Sequence, residues 1–174
     1  MVKFEDISAQ IAVLIKNNNE IETLCQNTFS KSISVIDNSV ALKKYLPEMP
    51  SAEINKDKED HFFNDEASST RKSDIWMGNV VFFGNFEIDN AGDIPPIAVE
   101  TVNGIITYKP SDIMRKIARL VGEDINKKIS CSNNTKGVLA ARYSVQSEVY
   151  YDRTSGTVGS FLDFELYKRN SAYN

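Results

Sequence analysis

Histidine is almost missing from this chain: His61 is the single one among 174 residues. A metal centre built on several histidines is therefore excluded, as is a relay through two imidazoles. Cysteine is scarce too. Cys25 and Cys131 stand far apart with no CxxC, so neither a zinc ribbon nor a disulfide framework is indicated. That pattern leads us to expect a chain assembled in a reducing cytoplasm. No apolar run approaches the roughly 20 residues of a membrane span. The N-terminus MVKFEDISAQIAVLIK lacks the cleavage region of a signal peptide. A basic excess is missing as well, with 20 Lys and Arg against 24 Asp and Glu. This balance argues against a dedicated nucleic-acid binder. None of the GxxxxGK(S/T), GxGxxG, GxSxG or HExxH motifs occurs.

What is present is enough apolar material for one core. Hydrophobic residues make up 41% of the chain, and a domain of this length buries about 70% of its unfolded surface. The expectation is a single domain over 1–174. Phe4, Ile7, Ile11, Leu14 and Ile15 recur at helical spacing, and Asn17-Asn18-Asn19 ends that helix. Glu20 to Cys25 adds one or two further turns. Ser32 to Ile36 alternates as a short strand. Pro47 and Pro50 exclude a regular element between them, and Ser51 to Lys56 reads as a strand beyond that turn. From Asp57 to Asp74 the chain is almost wholly polar, which predicts an extended loop over 57–74.

Ile75 to Ile88 is the most strand-like run, with Gly78 and Gly84 as bulge or close-approach sites. Asp89 to Asp93 is a turn. VETV-Asn103-Gly104-IITY signals a hairpin, because Asn-Gly accepts the positive φ of a type I′ turn. Pro110 and Asp112 open a second main helix with Ile113, Ile117, Leu120, Val121, Ile125 and Ile129 on one face. A turn over 132–137 leads to two long strands joined through Gly156, and the tail from Asn170 to Asn174 is expected to fray. The predicted fold is α+β: a mostly antiparallel sheet flanked by two main helices, with a long polar loop and a C-terminal β-hairpin.

Candidate chemistry is thin. His61 reads as a solvated loop residue, and Cys25 and Cys131 as incidental thiols with no base beside them. Asp57, Glu59, Asp60, Asp65 and Glu66 offer oxygen ligands for a hard cation but lack calcium-loop spacing. Lys109, Arg115, Lys116 and Arg119 form a basic helix face in an acidic protein, which reads as a solvated face. Phe62 and Phe63 stand inside a run that needs no burial, and Phe161 interrupts a polar strand face. We therefore read Asp57, Lys58, Glu59, Asp60, Phe62, Phe63 and Phe161 as a contact surface for another chain. Two other readings compete. In a binding module, Phe82, Phe83, Phe86, Tyr143 and Tyr150 would line a cleft. In a metal-dependent hydrolase, Glu100, Asp112 and Asp124 would converge on ions about 4 Å apart.

The order of elements resembles the tail terminator (tail-completion) proteins of long-tailed phages and contractile tail particles. The resemblance rests on the N-terminal amphipathic helix, the piece NEIETLC, the proline-braced YLPEMPSAEINKDKED, the helix SDIMRKIARLVGEDI and the closing LDFELYKR. The hairpin IAVETVNGIITY and the 57–74 segment make this chain larger than the simplest members. The resemblance implies a structural ring protein, typically a hexamer, that caps the tail tube, stops its growth and presents a face for head joining. It implies contacts with further copies of the chain, with the tail tube protein and with a head–tail connector or sheath protein. Genome DNA would meet it only in passing through the lumen. It implies a place in the virion neck after assembly in the host cytoplasm, with no catalytic residues, no cofactor, no metal and no membrane contact. Another connector or tube-like protein is the nearest alternative.

Overall fold

Three α-helices, a π-helical turn and eight strands make up the described part of the computed structural model, which covers residues 2–39, 48–62, 72–129 and 138–170. Helix α1 (Phe4–Lys16) forms because Phe4, Ile7, Ile11 and Ile15 fall on one stripe, and all four are buried. Glu5 and Asp6 sit in its first turn and Lys16 in its last, as the helix dipole favours. The asparagine run that stops α1 also starts the next helix. The Asn18 side chain accepts from the Glu20 and Ile21 N–H groups, each at 3.0 Å. With that cap, and with Ile21 and Cys25 buried, α2 (Asn19–Phe29) runs for 11 residues instead of one or two turns. The expected pair of main helices is therefore a set of three.

Helix α3 (Pro110–Asp124) opens on Pro110 and buries Ile113, Ile117 and Val121. It passes into a π-helical segment, Ile125–Ile129, which keeps Ile125 and Ile129 in the core. The Asn18 amide donates to Asp124 Oδ2 at 2.8 Å, tying the α1–α2 junction to the end of α3.

The main sheet holds β1 (Ser34–Asp37), β2 (Ser51–Phe62), β3 (Lys72–Asn85), β6 (Val138–Val145), β7 (Tyr150–Asp152) and β8 (Thr157–Asn170). Its order is β1-β2-β3-β8-β6, with β7 also on β8. Only β1 and β2 are parallel. The expectation of a mostly antiparallel sheet with flanking helices holds. Alternate residues face the helices: Ile54 on β2, Trp76, Val80 and Phe82 on β3, and Val158, Leu162 and Leu166 on β8 are all buried. The opposite face is half-exposed along Ile75, Met77, Val81 and Phe83. Ser160 is buried on the helix side and donates to the Met114 carbonyl at 2.8 Å, so β8 is pinned to α3.

The polar segment 57–74 is shorter than its composition predicts. Strand β2 continues to Phe62 and β3 starts at Lys72, so both arms of the expected loop are paired strand. Hydrogen bonding between backbones outweighed side-chain polarity, and a bulge adjusts the register. Lys56 pairs with Gly78 and Lys58 with Met77, which leaves Asp57 as the extra residue. Gly78 is needed there, because a Cβ would lie 2.5 Å from the Asn55 carbonyl oxygen and 2.7 Å from the Phe164 ring.

The Asn103-Gly104 hairpin forms as expected from β4 (Ile97–Thr101) and β5 (Gly104–Tyr108), with Gly104 at φ +117°. It is a separate two-stranded sheet. Ile97 and Tyr108 pack against the core at its root. The C-terminal run expected as one strand is broken into β6 and β7, which lie along the same β8. Asn170, expected to open the frayed tail, closes β8 opposite Lys72 instead; Phe63, Asp65, Glu66, Cys131, the 132–137 turn and residues 171–174 lie outside the described residues.

Candidate functional site

Two ends of the main sheet carry different chemistry. At one end, the bulge at Asp57 turns Glu59 and His61 to the helix-facing side, beside Trp76 and Asp74. His61 Nδ1 lies 2.7 Å from Asp74 Oδ1, and Nε2 lies 3.0 Å from Glu59 Oε1. Its ring meets Trp76 edge-on at 6.2 Å between centroids. The hydrogen bond to Asp74 leads in raising the His61 pKa above its ordinary value; partial burial opposes the rise and the Glu59 bond adds to it. Burial pushes the Glu59 carboxyl up, but hydrogen bonds from Lys56 and His61 outweigh it and hold the group low. His61 is thus a bridging strand residue and not the solvated loop residue its neighbours in sequence suggested. The sequence signal that was missed is the alternation after Asp57, which places 59 and 61 on one face.

The residues read as a contact surface fall largely at this end. Lys58 pairs with Asp60 at 2.6 Å, and Asp57 accepts from the Asn79 amide at 3.1 Å. Phe62 is the last residue of β2. Phe161 lies apart from them, half-buried on β8 opposite Val81, on the face away from the helices. Lys58 and Asp60 pair with each other, Glu59 pairs with Lys56 and His61, and each exposed ion pair is worth about 1 kcal/mol or less.

The opposite end is apolar and exposed. The β4–β5 arm presents Val102 at its tip, fully exposed, with Ile105 73% and Ile106 44% exposed. Tyr150 and Tyr151 on β7 are 46% and 41% exposed, and Ile88 lies close by against the Gly156 turn. Tyr150 packs edge-on against Phe83 at 5.8 Å. A cleft of about 810 Å³ opens at the root of the arm, lined by Phe29, Lys31, Glu48, Phe86, Pro95 and Ile97 among others. Thr28 also lines it, and its buried hydroxyl has no hydrogen-bond partner among the described residues. Sequence reasoning found the hairpin from Asn103-Gly104. It did not find that the strands leave the sheet, because a hairpin motif specifies its turn and not its neighbours.

The other candidate chemistries do not assemble. Asp112 pairs with Arg115, Asp124 holds Asn18 and Lys128, and Glu100 is exposed on the arm. Among the described residues no group of three His, Cys, Asp or Glu side chains is placed to hold a metal ion. Of the basic helix face, Arg115 donates to the Ser147 carbonyl at 2.6 Å and Lys116 pairs with Glu20 at 3.4 Å. Of the aromatics proposed to line a cleft, Phe82 is core and Tyr143 packs over Gly122; Phe86 alone borders the cleft, stacked edge-on with Phe29 at 5.1 Å. Burial pushes the Cys25 thiol up to about 12. No described helix is long and apolar enough to cross a membrane.

No family model matches this chain, and no curated protein matches it.

Proposed function

We propose that this chain is a structural ring protein of a phage or contractile tail particle, placed at the end of the tail tube as a terminator. The observation that carries the reading is the β4–β5 arm. A two-stranded hairpin is marginal in water, and this one, held to the core only at its root by Ile97 and Tyr108, exposes Val102, Ile105 and Ile106 and would gain stability by covering them. A protein that works by self-association supplies that cover. In a closed ring each copy offers two different patches, one to each neighbour. The net charge of −4 suits a lumen through which DNA passes without sticking. Such a protein acts by shape and assembly and breaks no bonds. It would belong to the virion neck and meet the tube protein on one face and a connector or sheath protein on the other.

Purified protein mixed with growing tail tubes tests the reading under negative-stain electron microscopy. Ring-shaped densities at tube ends and a fixed tube length are the expected result. Tubes that grow on past an excess of the protein, with bare ends, overturn it.

The cleft at the arm root favours a second reading, a small binding module for a peptide or a compact ligand, because the buried Thr28 hydroxyl there has no partner among the described residues. A ligand that raises the melting temperature with the logarithm of its concentration above Kd, and that no longer does so in Thr28→Val, would support it.

A further inference from the structure

We propose that His61 is a proton-controlled clasp on the far end of β2: charged, it ties Glu59 and Asp74 together across the β2–β3 pair, and on losing its proton it lets that end open while the rest of the sheet stays paired. The clasp is independent of the ring reading. Strand β1 pairs with β2 only as far as Ile54, and past that point β2 has β3 as its one neighbour among the described strands. Before the bulge, Ala52 and Ile54 anchor β2 in the core. Beyond it, the helix-facing residues of β2 are Glu59 and His61, whose side chains are 14% and 21% exposed. This end is therefore held by polar contacts and gains little from apolar burial. Strand β3 is different, because β8 pairs with it along the same stretch, Leu166 opposite Trp76 and Lys168 opposite Asp74. The part free to open is β2 from Lys58 to Phe62.

Both ring nitrogens of His61 face carboxylate oxygens, Asp74 at 2.7 Å and Glu59 at 3.0 Å. A neutral imidazole carries one N–H, so in either tautomer one carboxylate would face a nitrogen lone pair. The surrounding charges favour the same form. On β2, Lys56 pairs with Glu59, while Lys58 and Asp60 pair with each other. On β3 stands Asp74, with Lys168 of β8 opposite it in register and so on the same face. From α1, Glu5 acts on the charge of Lys56. Against the carboxylates Glu59, Asp74 and Glu5, the charged His61 joins Lys56 and Lys168, and its neutral form leaves an acidic excess. The raised pKa of His61, led by the Asp74 hydrogen bond, agrees with this geometry. The clasp is therefore closed below the ordinary histidine value of about 6.5 and is released as pH rises through the folded value.

The chain holds one histidine, so the His61 Cε1–H signal in the proton NMR spectrum needs no assignment. Its titration midpoint is expected above about 6.5. Hydrogen exchange of the full chain near pH 6 and near pH 9, with each rate divided by the unprotected rate at the same pH, then reads the opening. Protection of the β2 amides from Lys58 to Phe62 is expected to fall by about fivefold with the His61 midpoint, the factor that roughly 1 kcal/mol carries. Protection over Val80 to Phe83 on β3 is expected to hold. In His61→Gln the two pH values should give equal protection at both places. Glu59→Gln, which keeps a polar partner for the ring, is expected to lower the His61 midpoint, and it tests the clasp even where His61→Gln fails to fold. Equal protection of the β2 end at both pH values in wild type overturns the clasp, as does a midpoint at or below 6.5. The same fall in His61→Gln overturns it in favour of another titrating group. A fall shared equally by Val80 to Phe83 overturns it in favour of a general loosening of the fold, and an unchanged midpoint in Glu59→Gln overturns the part given to Glu59.

Discussion

His61 and Asp74 face each other across β2 and β3, with Nδ1 and Oδ1 2.7 Å apart. The other ring nitrogen faces Glu59, so only the doubly protonated imidazolium donates to both carboxylates. The raised pKa of His61 makes this a stability statement. A group whose folded pKa lies above its unfolded value stabilises fully below the unfolded value, about 6.5 for histidine, and loses that contribution as pH rises through the folded one. The lowered pKa of Glu59 acts in the other direction, contributing above its unfolded value of about 4.5 and failing as pH falls. Urea unfolding of wild type and His61→Gln is therefore expected to differ more near pH 6 than near pH 9, by about 1 kcal/mol or less. An advantage of wild type that grows with pH would show that His61 is neutral in the fold.

Gly78 sits where the bulge, β8 and α1 converge. A Cβ there would come within 2.8 Å of the Phe4 ring as well as meeting Asn55 and Phe164. Overpacking a filled core costs about 1–3 kcal/mol. Gly78→Ala is expected to lower the unfolding midpoint accordingly in thermal or urea melts. Gly92→Ala, where a Cβ meets nothing within 4 Å, is strained by its φ of +79° alone and should cost less. Equal losses at the two sites would argue that the Gly78 contact relaxes freely.

Cys25 is fully buried on α2, and its thiol is held far from thiolate formation at neutral pH. In the Cys131→Ser protein, a thiol-titrating disulfide reagent is expected to find no reactive group in the native state and one after denaturation. Rapid native labelling would mean that α2 opens on the time scale of the assay.

Much of the architecture was legible in the sequence, and the misreadings share a cause. Ile113, Ile117, Val121, Ile125 and Ile129 announced a long helical face because a packed stripe must repeat at 3.6 residues, and all five are buried. Asn103-Gly104 announced its turn for local steric reasons. Asp57 to Phe62 was misread because its charges pair with one another along β2, Lys58 with Asp60 and His61 with Glu59, and because His61 also reaches Asp74 on β3, which a single segment cannot reveal. Asn18 was seen as a breaker, while its amide also caps α2 and holds Asp124 from 106 residues away. The exposed apolar end was hidden for the same reason. Ile105 and Tyr151 look like ordinary core residues until the topology leaves them outside.

The mass of the purified wild-type chain in solution, by light scattering on a sizing column across a range of concentrations, tests self-association most directly. A discrete assembly of several 19.5 kDa chains is expected, a hexamer in the terminator reading. A single chain at every concentration, with the arm still folded, would contradict it.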